Sequence, residues 1–298
     1  MSFKELPIMS DKKKGSLLFY PYISKKSAQN IKKILSTRWI GHGPMVDKFE
    51  NKFQKVFAKK NFALATGSGT DSLHLAYLLA GIKKGDEVIT TVFTCTATNI
   101  PLLYIEAKIK FADIDPRTMN ISIPSVKKLI SKKTKAIVCV HYGGLPCEMD
   151  ELKKLSKKYK IPIIEDAAHA MGAKYKGKTV GSISDFTTFS FQAIKHFTTG
   201  DGGMLTIKNK NLLQKGKRLR WFGIDREGKQ NGTWENDVYE TGYKYQMTDI
   251  AATLGIDSLL EFNKILTHRR KIFQVYLDEL SKNKNIFCIN DEDKNKFH

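Results

Sequence analysis

Short apolar segments alternate with longer polar or amphipathic stretches between residues 62 and 207. The short segments are almost continuously apolar, which is typical of strands that are buried on both faces of a parallel sheet. Seven segments fit this description: 62–65, 87–91, 110–112, 136–140, 161–164, 186–189 and 204–207. The pattern predicts an α/β fold, a mostly parallel seven-stranded sheet covered by helices.

Helical spacing appears between these strands and towards both ends of the chain. Within residues 45–57, Val46, Phe49, Phe53 and Phe57 recur on one predicted helical face. The other predicted helices are 26–35, 70–80, 125–130, 150–159, 210–220, one that starts near Thr248, and 268–280.

Three regions are expected along the chain. Residues 1–20 lack periodicity and are predicted to form a flexible arm, and residues 21–245 are predicted to form the large domain. Residues 246–298 are predicted to form part of a smaller C-terminal α+β domain. This segment holds two predicted helices and one possible strand, 286–289, so we expect that domain to be incomplete. The polar, glycine-containing stretch 225–243 is predicted to be a long functional loop.

Composition narrows the class of protein. The 298 residues are 41% hydrophobic and 27% charged, as in a globular protein. No apolar run approaches the ~20 residues that cross a bilayer, and no apolar signal core follows the N-terminus, so we expect a cytoplasmic protein without a membrane span. The net charge is +20, but the lysines are scattered rather than clustered with aromatic residues. Nucleic-acid binding is therefore not expected.

The four cysteines show no close pair and no repeated spacing. A disulfide framework is therefore not expected. His141 and Cys147 could bind a metal, but tetrahedral zinc needs two further ligands that the neighbouring sequence does not supply. We predict no metal site.

A possible phosphate cradle joins the first predicted strand to the helix after it. This segment reads Thr-Gly-Ser-Gly-Thr-Asp over residues 66–71. Glycine permits a tight turn, and N–H groups at a helix start, with nearby hydroxyls, can hold a phosphate. Gly69 and Thr70 are the candidate ligands. Alone, the segment could equally be an ordinary turn in which Ser68 or Thr70 caps the helix.

Asp166 follows an apolar predicted strand. A carboxylate in such a place is poorly solvated and needs a positive partner, which a protonated pyridine nitrogen would supply. The alternative is an acid that caps a helix. His169 could reach the ring of a cofactor, although a lone histidine is more often a hydrogen-bonded core residue.

Lys195 follows the segment Phe189-Ser190-Phe191 and precedes a glycine run at residues 200–203. A lysine in an apolar, partly buried site has a lowered pKa, which frees its amine to form a Schiff base. Alone, this lysine would be taken as a surface residue. The chain thus presents, in this order, a possible phosphate-binding turn, an acid at the end of a strand, and a lysine. These match the three protein contacts that pyridoxal 5′-phosphate (PLP) requires.

Further segments at residues 85–89, 165–169, 189–195, 202–203 and 242–249 give the chain a specific resemblance. Over about residues 18–290, it resembles the DegT/DnrJ family of PLP-dependent sugar aminotransferases. The resemblance implies a fold type I PLP-transferase with PLP as cofactor. It also implies a homodimer with shared active sites, in which Lys244 touches the cofactor phosphate of the partner.

The resemblance also implies a role for each candidate residue. Lys195 would bind the cofactor covalently and later shuttle a proton, and Asp166 would pair with the pyridine nitrogen. His169 would lie against the ring. The phosphate would be bound by three residues: Gly69, Thr70 and Ser190.

Two positions decide how closely the chain follows the family. Many relatives place an aromatic residue over the cofactor ring where this chain has Cys95, so either Phe93 takes that role or the stacking is weaker. Relatives with histidine in place of the Schiff-base lysine are dehydratases. Because Lys195 is retained, with His196 merely adjacent, transamination is favoured.

The expected reaction transfers an amino group, from glutamate, to a nucleotide-linked keto-deoxysugar in the biosynthesis of surface polysaccharide or glycan precursors. Arg220 and Arg226 are candidate partners for the diphosphate. Two alternatives stay open: a PLP-dependent sugar dehydratase, and a non-catalytic sensor or regulatory protein that retains the fold. The sequence does not identify the sugar, the nucleotide or the carbon that is aminated.

Overall fold

The computed structural model of the protein describes residues 20–226, 228 and 238–289. Apart from Tyr20, the predicted N-terminal arm lies outside these residues. The central part of the predicted loop at 225–243 also lies outside them.

One seven-stranded sheet forms the centre of the molecule. Its strands are β1 Phe62–Thr66, β2 Glu87–Thr91, β3 Lys108–Ala112, β4 Thr134–Val140, β5 Ile163–Asp166, β8 Phe186–Ser190 and β9 Gly203–Ile207. Their order is β1-β9-β8-β5-β4-β2-β3, and β6 Lys174–Tyr175 and β7 Lys178–Thr179 form a separate hairpin. All seven predicted strands are confirmed, with ends shifted by no more than two residues.

Strand β9 runs opposite to the rest of the sheet. It pairs antiparallel with both β1 and β8, whereas the other neighbouring strands pair in parallel. The carboxyl ends of six strands therefore meet at the edge where β9 begins. At that edge Thr66 of β1 and Ser190 of β8 both pair with Gly203 of β9.

Nine helices of the described residues surround the sheet. They are α1 Ser27–Thr37, α2 Pro44–Phe53, α3 Gly69–Leu79, α4 Thr96–Tyr104, α5 Ile123–Leu129, α6 Met149–Tyr159, α7 Lys210–Leu219, α8 Asp249–Leu260 and α9 Phe262–Leu280. Helix α2 continues as a π-helical turn, Gln54–Ala58. The predicted apolar face of residues 45–57 is confirmed, because its four residues are buried.

Helix α4 was not predicted. Pro101 lies inside it, and threonines occupy its first turn, so local propensity argues against a helix there. The predicted strand at 286–289 is wrong, because these residues form no strand. A four-residue segment cannot remain a strand without a neighbour to accept its backbone hydrogen bonds.

The sheet separates two apolar clusters. Alternate residues of a strand point to opposite faces, so Ala63 and Ala65 belong to one cluster and Leu64 belongs to the other. The first cluster includes residues of α2, α6, α8 and α9. The second includes residues of α3, α4 and α7. Both faces are therefore covered, as the continuously apolar strands predicted.

Helix α8 packs against α1 and α2. A Cβ at Gly255 would lie 2.7 Å from the ring of Phe49, so glycine is needed for this close approach. Asp249, the first residue of α8, caps α2 by accepting hydrogen bonds from the backbone N–H groups of Gly43, Met45 and Val46. The domain boundary expected at residues 245–246 stays a prediction.

No helix in the described part of the chain combines the length and apolar composition that a membrane span requires. The cytoplasmic location and the absence of nucleic-acid binding stay predictions.

Phe53 provides a test of the first apolar cluster. It is fully buried, and its ring centroid lies 4.9–6.2 Å from those of Phe49, Phe57, Phe189 and Phe191. Phe53→Ala should lower the free energy of unfolding by about 3–5 kcal/mol, since it leaves a cavity among these rings. Denaturant titration would measure the loss. Phe273→Ala, at a position that is 54% exposed, is the control, and an equal loss there would contradict the assignment.

Candidate active site

The turn between β1 and α3 presents backbone donors. Ser68 caps α3 with its hydroxyl oxygen, which accepts a hydrogen bond from the N–H of Asp71 at 3.0 Å. The N–H groups of Gly69 and Thr70 belong to the first turn, where no earlier helical carbonyl can accept them. Together with the helix dipole, they favour an anion at this point.

Close backbone packing brings Ser190 to the same point. A Cβ at Gly69 would lie 2.8 Å from Cβ of Ser190, and a Cβ at Gly203 would lie 2.2 Å from the carbonyl oxygen of Ser68. Larger residues at 69 or 203 would push these segments apart. The two glycines therefore keep the hydroxyl of Ser190 beside the start of α3.

Asp166 ends β5 and is only 5% exposed. Its Oδ2 accepts a hydrogen bond from the Thr98 hydroxyl at 2.6 Å, and its Oδ1 accepts one from the N–H of Ala168 at 3.1 Å. The described residues place no cation in ion-pair contact with this carboxyl group. A buried carboxylate of this kind is well suited to a positively charged ligand.

Lys195 lies half-buried in the connection between β8 and β9. Its carbonyl oxygen accepts a hydrogen bond from Nη2 of Arg269 at 3.2 Å, which ties the connection to α9. His169 lies nearby, and its ring makes an edge contact with that of Tyr142 at 5.9 Å. Burial lowers the pKa of His169, and the positive charge of Lys195 lowers it further, while Asp166 opposes the change. The lowered pKa favours the uncharged imidazole.

These groups line one pocket of about 380 Å³. Six of the seven residues predicted for the site contribute to its wall: Gly69, Thr70, Asp166, His169, Ser190 and Lys195. The seventh, Lys244, does not line the pocket of its own chain. Its ammonium group lies 3.6 Å from the ring centroid of Trp221 and donates to the side chain of Gln246.

The two candidates for covering the cofactor ring occupy different places. Cys95 is exposed and lines the pocket. The ring of Phe93 instead packs against Tyr142, with 4.5 Å between ring centroids. Of the two, Cys95 is the residue that faces the pocket.

Thr98 was missed by the sequence analysis. It lies in the unpredicted helix α4, is fully buried, and bonds directly to Asp166. Its hydroxyl also lies 2.7 Å from that of Thr94, which lines the pocket. No helical spacing in the sequence marked this pair, because Thr94 lies before the first residue of α4 and only the folded turn brings its hydroxyl to Thr98.

A second pocket of about 510 Å³ contains both arginines that were considered for a diphosphate. Arg220 is only 5% exposed, and its Nη1 donates to Glu50 at 2.6 Å and to the carbonyl of Ala65 at 2.7 Å. Its charge is therefore used within the fold. Arg226 donates to the carbonyl of His42 and lies beside Trp221. It is the more accessible of the two.

Cys139, His141 and Cys147 place possible ligand atoms within 4.8 Å of one another. Nδ1 of His141 accepts a hydrogen bond from the N–H of Cys147, and Nε2 donates to buried Glu165 at 2.8 Å. The imidazole has no free lone pair for a metal, so this cluster holds the segment after β4 against β5.

The profile of the DegT/DnrJ/EryC1/StrS aminotransferase family matches residues 21–298. The chain belongs to this family. The fold type I architecture predicted from the sequence is confirmed by similar structures of sugar aminotransferases, and the expected aminotransferase activity is that of the family.

Three similar proteins illustrate the relationship. The chain is 35% identical, over 94% of its length, to GDP-perosamine synthase of Escherichia coli O157:H7. It is 38% identical, over 92% of its length, to UDP-4-amino-4,6-dideoxy-N-acetyl-beta-L-altrosamine transaminase of Campylobacter jejuni. These alignments cover 75% and 72% of the two relatives. Spr1654 from Streptococcus pneumoniae, solved in its PLP form, matches with a TM-score of 0.82 and 29% identity, covering 90% of this chain and 72% of that one.

Asp71 gives the pocket a pH-dependent neighbour. Burial raises its pKa to about 6, the hydrogen bonds to Ser68 oppose this rise, and the nearby charge of Asp201 adds to it. Because the folded pKa exceeds the ordinary value of 3.8, the native state holds this proton more tightly than the unfolded chain. The associated stability is fully present below the unfolded pKa and is lost as pH rises through about 6.

Asp71→Asn should remove this dependence. The stability of the variant relative to wild type should rise as the pH increases from about 4 to about 6, then stay level at higher pH. Denaturant midpoints measured across that range test the expectation. A stability difference that does not change with pH would show that the environment of Asp71 does not perturb its titration.

Proposed function

We propose that the protein is a PLP-dependent aminotransferase that moves an amino group, from glutamate, to the keto group of a nucleotide-linked deoxysugar. The product would serve the synthesis of surface polysaccharide or glycan precursors. One observation carries the proposal: a single pocket gathers a helix-start cradle, a buried carboxylate and an amine. The names of the two relatives, a GDP-sugar synthase and a UDP-sugar transaminase, support the substrate class.

The residues of the pocket fit each part of PLP. Gly69 lets Ser190 approach the start of α3, since a Cβ there would lie 2.8 Å from Cβ of Ser190. The cradle offers a phosphate the N–H groups of Gly69 and Thr70 and the hydroxyl of Ser190. Asp166 offers a buried carboxylate that no cation of the described residues contacts, and a protonated pyridine nitrogen is a suitable partner for it. The amine of Lys195 is the nucleophile for the carbonyl group.

When bound, PLP supplies an electron sink that stabilises negative charge on the carbon next to the amino group. Asp166 would pair with the ring nitrogen and favour its protonated form, which would strengthen that sink. Lys195 would hold the cofactor through its Nζ, and the same amine, when free, would be the group that carries the proton during amino transfer. The lowered pKa of His169 favours its uncharged form, which would not compete with the ring nitrogen for the charge of Asp166.

Lys195→Ala should lower amino transfer by about 10³-fold or more, because it removes both the covalent anchor and the proton carrier. The assay combines the protein, PLP and glutamate with a panel of UDP-, GDP- and dTDP-linked keto-deoxysugars. Mass spectrometry identifies the amino sugar, and an enzymatic assay measures 2-oxoglutarate. Lys208→Ala, at an exposed position after β9, is the control.

A separate measurement identifies the anchor directly. Borohydride treatment of the PLP-loaded protein should leave a pyridoxyl phosphate adduct on the peptide that contains Lys195. Undiminished turnover by Lys195→Ala, or an adduct on another lysine only, would refute the assignment. A deoxygenated sugar without 2-oxoglutarate would indicate a dehydratase, and PLP binding without turnover of any sugar would indicate a sensor.

The second pocket is a candidate for the diphosphate of the substrate. It combines the guanidinium of Arg226 with the indole rings of Trp39 and Trp221. A cation beside aromatic rings suits a diphosphate attached to a base. Arg226 is the better of the two arginine candidates, because Arg220 is already paired with Glu50.

We also propose that two copies of the chain share their active sites. The pocket of one chain is lined by the acids Asp166 and Asp201 but, among the described residues, by only one lysine, Lys195. That lysine is assigned to the carbonyl group, so the phosphate dianion lacks a cation. Lys244, which lies outside its own pocket on the ring of Trp221, would supply the cation to the partner.

Mixing two inactive variants tests the shared site. Lys195→Ala and Lys244→Ala are unfolded, combined in equal amounts and refolded at a PLP concentration at which neither is active alone. Shared sites predict about a quarter of the wild-type activity, because half of the dimers are mixed and each of these has one intact site. If Lys244 serves its own chain, the mixture should stay inactive. Each variant refolded separately is the control.

A further inference from the structure

A chain of hydroxyl groups ends on the carboxylate of Asp166. Thr98 Oγ1 lies 2.6 Å from Asp166 Oδ2, and Thr94 Oγ1 lies 2.7 Å from Thr98 Oγ1. The N–H of Ala168 donates to the other carboxylate oxygen at 3.1 Å. Each oxygen of Asp166 thus has one donor, and these two donors fix the plane of the carboxylate.

The direction of the hydrogen bonds follows from the chemistry of the groups. An ionised carboxylate only accepts, so the single hydroxyl proton of Thr98 must be donated to Asp166. The hydroxyl of Thr94 must then donate to that of Thr98. Tyr77 holds Thr98 from the other side, because its hydroxyl donates to the Thr98 carbonyl at 2.7 Å. Thr98 is therefore fully buried and held at both its backbone and its side chain.

We propose that Thr98 is a positioning residue for the cofactor, in that its hydroxyl holds the Asp166 carboxylate turned towards the ring nitrogen of PLP. This inference rests on the proposed function. A hydrogen bond to a charged group is stronger than one between neutral groups, so the Thr98 hydroxyl is an effective restraint on the carboxylate. Without it, one carboxylate oxygen loses its only donor among the described residues, and the carboxylate is free to turn away from the ring nitrogen.

A neutral hydroxyl serves this purpose better than a cation would. A lysine or arginine at position 98 would satisfy the charge of Asp166 and compete with the ring nitrogen for it. The hydroxyl orients the carboxylate and leaves its negative charge uncompensated. Asp166 still lines the pocket, so the charge remains available to a ligand there.

Thr90 provides a matched control, because its hydroxyl also helps to hold helix α4 against the sheet. It is a buried threonine on β2, and its hydroxyl donates to the side chain of Asn99 in α4 at 3.0 Å. Thr90→Val therefore removes a buried hydroxyl that holds α4, as Thr98→Val does, but it leaves Asp166 untouched.

The experiment compares two ligands. Apo forms of the wild type, Thr98→Val, Thr98→Ser and Thr90→Val are titrated with PLP and with 1-deaza-PLP, in which a C–H group replaces the ring nitrogen. Visible absorption gives the dissociation constants, and thermal unfolding of each apo form reports its stability. We expect Thr98→Val to bind PLP about tenfold more weakly than wild type, with less than about a twofold change for 1-deaza-PLP.

The serine variant keeps the hydroxyl and should restore the wild-type preference for PLP, and Thr90→Val should retain that preference even if it lowers stability. Equal losses of affinity for both ligands in Thr98→Val would show a merely structural role. Wild-type affinities for both ligands in this variant would also overturn the inference. If Thr98→Val does not fold, Thr98→Ala replaces it under the same criteria. A wild type that binds both ligands equally would refute the pairing of Asp166, and with it the proposed function rather than this inference alone.

Discussion

The buried carboxylate of Asp166 is the charge on which the arrangement of the pocket depends. It ends an apolar strand and receives two neutral donors, from Thr98 and Ala168, but no cation among the described residues. An ionised group in such a place is costly unless something positive joins it. The fold therefore places at the pocket wall a carboxylate that suits a cationic ring nitrogen. Lys195 lines the same pocket.

The reversed strand β9 explains how distant segments reach this carboxylate. Because β9 lies between β1 and β8, its first residue, Gly203, is paired with the last residues of both. The same glycine lets the Ser68 carbonyl approach closely. The start of α3, with its free N–H groups, and the hydroxyl of Ser190 thus meet at one edge of the sheet, beside the end of β5.

Residues with strong local signals were predictable. The seven strands were predictable because a strand that is buried on both faces gives a short, nearly continuous apolar run in the sequence. Helix α4 was missed because Pro101 and its threonines argue against a helix locally, while packing against the sheet outweighs that preference. Thr98 was missed with it. Arg220 was proposed as a diphosphate partner because of its charge, whereas only the folded chain revealed that it is paired with Glu50.

The sequence by itself determined the class of fold, the family resemblance and six of the pocket-lining residues, because apolar periodicity and ordered motifs are properties of the chain. Tertiary structure alone decided that these six meet, that Lys244 lies apart from them, that Cys95 rather than Phe93 faces the pocket, and that a threonine holds Asp166. These outcomes depend on contacts between residues far apart in the chain, and no local pattern encodes the distance between two such side chains.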